Sequence, residues 1–178
     1  MGKKIAVSIL LALSGILVAN AQQHDPSMHQ QHMAALAEDS RQLVNFPPEM
    51  QAFNLMNMRG HLAALSEILA ALSDTQYAKA AAIADAKLGL NSPSAEGCKS
   101  GGDTGAPQMS TPPSMDQQMS TLMPEGMRDI GLAMHTAASA FAVEARKIGH
   151  SGSPKPAIAA LSRVTQQCVA CHSVYRVR

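Results

Sequence analysis

The sequence predicts an all-α fold, an antiparallel four-helix bundle with a long irregular loop between the second and third helices. Three observations predict it. Four segments carry apolar residues at steps of three and four, the spacing of one helix face. No segment reads as a strand. The four fall into two pairs with a short turn inside each pair, which makes antiparallel neighbours. Composition adds a hint about the interior: the 178 residues hold no Trp, 2 Tyr and 3 Phe beside 12 Met. Large apolar volume must come from Leu, Met and Ile, or from a group that is not protein.

The N-terminus reads as a secretory signal. Lys3 and Lys4 form a basic start, Ile5 to Val18 an apolar run, and Ala19-Asn20-Ala21 a small-residue cleavage site after Ala21. The apolar run is short for a bilayer span, the alternative being an uncleaved anchor. Cleavage leaves 157 of the 178 residues, enough for one domain. Of the 14 Lys and Arg it removes two, so 12 stand against 13 Asp and Glu. That balance argues against nucleic acid or an anionic membrane surface as partner. A periplasmic location is the expectation.

Residues 22–47 read as a flexible, polar arm carrying His24, Met28, His29, His32 and Met33, with a short helix through 33–44. Together with Met109, Met115, Met119 and Met123, these are soft ligands suited to copper, or else incidental residues of a solvated segment. Pro47, Pro48 and Glu49 then suit a helix start. The domain expected over 48–178 begins there, with Leu55, Met58, Leu62, Leu65, Leu69 and Leu72 as the inward stripe. Ser73 or Asp74 can cap a second helix over about 75–88, facing Tyr77, Ala81, Ala84 and Leu88 inward and ended by Gly89. Residues 91–123 hold four Pro and four Gly with no apolar period and read as an irregular connection. Pro124 and Glu125 open a third helix with Met127, Ile130, Met134, Phe141, Ala145 and Ile148 inward, stopped by Gly149. The last helix runs from about Pro156 to the end, with Ile158, Leu161, Val164, Cys168, Cys171, His172 and Tyr175 on one stripe.

That stripe carries the chemistry, "CVACHSVYR". A thioredoxin-like dithiol wants its cysteines at a helix N-terminus after a strand, where the dipole lowers the thiol pKa. Cys168 and Cys171 lie instead near a predicted helix C-terminus. A structural zinc site needs four ligands at tetrahedral spacing. A disulfide between positions i and i+3 of a helix is geometrically poor. Covalent haem c attachment uses all three residues: two thiols one turn apart add across the two vinyl groups, and the adjacent imidazole binds the iron. Chance alone places a CxxCH in about two in a thousand chains of this composition.

A C-terminal CxxCH followed by Ser173-Val174-Tyr175-Arg176, on the fourth helix of an exported bundle, resembles the cytochrome c′ family, the class II c-type cytochromes. The resemblance spans roughly residues 48–178, and its specific motif is confined to this tail. It implies Cys168 and Cys171 as thioether anchors, His172 as proximal iron ligand, and Arg176 as a neighbour of a haem propionate. It also implies that the first helix faces the distal side of the ring, and that a homodimer through the first two helices is an option.

For the distal ligand the first helix offers Met58, Met56 and His61, or no ligand. Met58 lies on the apolar stripe and is the expected choice, Met56 lies about 160° away from it, and His61 falls beside it. A thioether ligand raises the potential and suits an electron carrier. The expected function is therefore electron transfer by a periplasmic cytochrome with a protein redox partner, and not catalysis, since no titratable pair accompanies the site. The alternative is a five-coordinate protein that binds or sequesters small gases such as NO and CO. A third option is a subunit docking on a larger redox protein. His135 and His150 read as structural or exposed. Cys98, in a glycine-rich loop, reads as a spare thiol or an intermolecular disulfide partner.

Overall fold

The computed structural model describes residues 39–99, 112–148 and 152–177. The expected signal peptide, the arm residues up to 38, Met109, Gly149 and His150 lie outside the described residues.

Among the described residues the protein is all-α apart from one short clasp. Strand β1 (Gln42–Leu43) precedes helix α1 (Pro48–Ser73), which a tight turn joins to α2 (Tyr77–Lys87). A 3₁₀ helix (Pro93–Cys98) and α3 (Met115–Leu122) follow, then α4 (Glu125–Lys147), α5 (Lys155–Val174) and strand β2 (Tyr175–Arg176). Helix α4 packs along α5 and α2, α2 packs on α1, and the 3₁₀ helix packs on α3 and α4. Among the described residues no helix is long and apolar enough to cross a membrane.

Local chemistry explains the helix ends. Pro48 sits in the first turn of α1, where a missing N–H costs nothing, with Glu49 beside the positive end of the dipole. At the other end Gln76 N donates to Ala71 O at 2.8 Å and Thr75 N to Leu72 O at 3.1 Å. This double return closes the helix on a left-handed residue, and that residue is Thr75, at φ 56°. The capping of α2 by Ser73 or Asp74 is not found. The helix starts later, at Tyr77 behind Gln76, and no side chain caps it, because Ser73 and Asp74 are spent in the α1 terminus.

Two expectations about connections are corrected. Residues 91–123 are not purely irregular. Ser114 Oγ accepts from Gln117 N at 3.2 Å while Gln117 Oε1 accepts from Ser114 N at 2.8 Å, a capping box that starts α3. Met119 and Met123 are buried by it. The expected short helix over 33–44 does not reach its end: Gln42 and Leu43 are extended and pair in parallel with Tyr175 and Arg176, Val44 N donating to Arg176 O at 2.8 Å. Burial of Val44 explains why this stretch leaves the arm and joins the domain. The last helix accordingly stops at Val174, short of the chain end.

The interior divides into two clusters. The larger one joins α1, α2, α4 and α5 around Phe141 and Ile68, and ten of its sixteen buried residues are alanine. Small side chains let helices approach closely, so this half of the core needs few large residues. The second cluster gathers Val44, Met50, Met119, Met123 and Met127, with Phe46, Phe53, Cys98, Cys171 and Tyr175 against it.

The α1 stripe is also corrected. Its buried residues are Met50, Asn54, Ala64, Ile68 and Ala71, whereas Leu62 is 70 % exposed and Leu69 58 % exposed. Helix α2 packs on the alanine side of α1. The leucines Leu62, Leu65 and Leu69 instead face Leu161 and Thr165 of α5 across an open groove of about 410 Å³. Ile158, expected inward on α5, is exposed as well.

Candidate functional site

Beyond that groove, sharing its Leu62 and Leu65, lies a larger cavity, about 720 Å³. Its size is within the usual range for sites that enclose a small organic molecule or cofactor. Cys168, Cys171 and His172 of α5 line it, and across from them so do Leu55, Met58 and His61 of α1. Met119, Met123, Met127 and Met134 supply further apolar wall. Expected site residues from both ends of the chain are thus brought to one cavity. Met56 is the exception: it is 56 % exposed and not part of the lining.

The clasp positions the tail of α5. Gln51 Nε2 donates to Val177 O at 2.7 Å, and Arg41 Nη1 donates to His172 O at 3.1 Å. Residues just before α1 and in its first turn therefore hold the segment that follows the cysteines. Tyr175 fits there because Gly126 has no side chain.

Electrostatically the three thiols are alike. Cys168 and Cys171 are unpaired by disulfide, and burial pushes both thiols up, Cys171 further through its neighbour Cys168. Redox-active dithiols depend on the opposite shift, so this pair is poorly suited to thiol exchange. Cys98 is no loop thiol. It lines the same cavity, stands against Gly131, and is raised to about 11 by burial, then by Cys171 and Asp116.

Charged side chains are few and one-sided. Arg41, Arg59 and Arg176 line the cavity, and Asp116 is the one carboxylate among the lining residues. Burial, then Glu96, raises the Asp116 carboxyl against a hydrogen bond from Asn57. The cavity therefore suits an apolar body with an anionic edge.

A small polar cluster interrupts the apolar wall. His61 Nε2 lies 3.0 Å from Ser94 Oγ, and the His61 and His135 rings meet edge to face with centroids 5.7 Å apart. His135 is 1 % exposed, neither at the surface nor in a purely apolar setting. Its Nδ1 donates to Leu88 O at 2.7 Å. Burial holds both rings below the usual histidine range, His61 to about 4.

Sequence reasoning missed Arg41, Arg59 and Cys98 as cavity residues and left Met119 and Met123 in a loop, whereas Met127 and Met134, expected inward, do line the cavity. The capping pattern Ser114-x-x-Gln117 was the signal that would have brought α3, with Met119 and Met123, into the core. Nothing local distinguishes Arg41 or Cys98. No protein-family profile, characterised protein or solved structure matches the chain.

Proposed function

We propose that this protein is a c-type cytochrome of the four-helix, cytochrome c′ type, exported to the periplasm and carrying one covalent haem for electron transfer. One observation carries the reading: Cys168, Cys171 and His172 line the same apolar cavity as Met58, with three arginines around it. The four long helices α1, α2, α4 and α5 would form the bundle, α1–α2 and α4–α5 being its antiparallel pairs.

The residues fit the group. Cys168 and Cys171 sit one turn apart on α5 and would hold the ring edge through thioethers, while His172 would supply an imidazole to the iron. Arg41, Arg59 and Arg176, all on the cavity lining, would meet the two propionates, charge-assisted partners that guanidinium binds in fork geometry. Methionine side chains are soft and adaptable, which suits packing against a flat macrocycle. The haem supplies a one-electron iron couple when bound. Met58, 36 % exposed at the cavity wall, is the proposed thioether ligand. The chain's part would be to exclude water, hold His172 and Met58 in position and balance the propionate charge.

The test is expression with a working haem-attachment system, followed by intact mass and absorption spectra. A mass increment of one haem, a c-type reduced spectrum and loss of both in Cys168→Ala/Cys171→Ala are expected. A near-infrared thioether band lost in Met58→Ala identifies the distal ligand. Colourless protein of bare polypeptide mass rejects the reading.

A further inference from the structure

The hydrogen bonds of the polar cluster leave two lone pairs unmatched. Ser92 Oγ donates to Gly89 O at 2.7 Å, so towards Ser94, 3.4 Å away, it can only accept. Ser94 spends its proton on that contact and accepts from His61 Nε2 at 3.0 Å. The Leu88 carbonyl can only accept, which puts the His135 proton on Nδ1. Burial keeps both rings neutral, so each has used its single N–H. His61 Nδ1 and His135 Nε2 are acceptors, and neither meets a donor among the described residues. An imidazole tied down in this way has the form of a metal ligand. Its outer hydrogen bond sets the tautomer and makes the other nitrogen more basic.

We propose that His61 and His135 form a copper(I) site on the cavity wall, with Ser94 and the Leu88 carbonyl as positioning groups. Two imidazoles on one ion, at about 2 Å per bond, have ring centroids up to about 6 Å apart. Those of His61 and His135 are 5.7 Å apart, and both rings line the cavity. The donor set selects the ion. Among the described residues no three of His, Cys, Asp and Glu gather to hold a metal ion, whereas structural zinc takes four ligands and calcium and magnesium take oxygens. Copper(I) is content with few ligands, and imidazole and thioether are the donors that suit it. The same wall carries thioethers, Met134 among them, next to His135 in the chain. Neither Cys168, Cys171, His172 nor Met58 is required, so the site stands apart from the haem reading.

The test is anaerobic titration of copper(I) into the exported full chain against a coloured copper(I) chelator. The chain carries His24→Ala, His29→Ala and His32→Ala, so that these imidazoles do not compete. One copper per chain is expected, and none in His61→Leu or His135→Leu. Ser94→Ala, which frees the His61 ring, is expected to weaken binding about tenfold. Zinc at the same concentration is expected to be lost on gel filtration. Copper affinity indifferent to the two histidines or to Ser94, or zinc held as tightly as copper(I), overturns the site. If the histidine variants fail to fold, Ser94→Ala decides together with the copper K-edge spectrum, in which nitrogen neighbours are expected and sulfur neighbours alone overturn the site. A colourless chain that binds copper through His61 and His135 rejects the haem reading alone, whereas a coloured chain that binds none rejects the copper site alone.

Discussion

Tyr175 lays its hydroxyl against the bare Cα of Gly126, so closely that a methyl group there would lie 2.7 Å from Oη. Gly126 is in the first turn of α4, where alanine is otherwise the better residue by up to about 1 kcal/mol. Gly126→Ala is expected to gain nothing in wild type and to stabilise by up to about 1 kcal/mol in a Tyr175→Phe background. Matched denaturant titrations of the four proteins give the coupling.

Thr75 holds a left-handed conformation that a β-branched residue adopts at a cost of about 1–2 kcal/mol. Glycine has no such steric cost, and its greater loss of backbone freedom on folding offsets only part of the gain. Thr75→Gly is therefore expected to stabilise the protein by about 1 kcal/mol, seen as a raised unfolding midpoint at constant denaturant slope.

Phe141 is fully buried among alanines that cannot move in to replace it. Phe141→Ala is expected to cost about 3–5 kcal/mol. Leu69→Ala, at a position 58 % exposed, is expected to cost well under about 1 kcal/mol. Equal losses at the two positions would mean that the α1 leucine stripe is the true core face.

His61 titrates near 4 in the folded chain against an ordinary 6.5, through burial first and His135 second. The unfolded chain therefore binds more protons between those values. The stability that neutral His61 contributes is complete above about pH 6.5 and is lost as pH falls toward 4, at most about 3 kcal/mol of it. Unfolding midpoints measured from pH 7 to 4 should fall more steeply in wild type than in His61→Gln.

Cys98, raised to about 11, should react slowly with alkylating reagents at neutral pH, about tenfold faster per pH unit up to that value. A Cβ on Gly131 would strike its sulfur. Gly131→Ala should expel the thiol from the cavity and raise its labelling rate at pH 8, read by peptide mass.

The four long helices were legible because periodicity and turn residues are local. The inward face of α1 was not, since alanine carries little hydropathy contrast with the leucines beside it. Ala64 and Ala71 are buried because α2 packs there, a fact of tertiary contact. Cys168, Cys171 and His172 announced themselves by spacing. His135 and Cys98 did not, because their partners, Leu88 and Gly131, are non-polar in sequence and act through a backbone carbonyl and an absent side chain. The β1–β2 pair was beyond reach for a related reason. Two residues are too few to show a period, and their partner lies at the opposite end of the domain.

That pair has a bearing on biogenesis. Arg41 must wait for His172, 131 positions later, before its hydrogen bond can form. During vectorial emergence the rim beside the cysteines stays unsealed until residues 172–177 arrive, since contacts so distant in sequence close slowly. In the haem-bearing protein proposed above, a flat guest would enter by that gap before the two strands of the clasp close it.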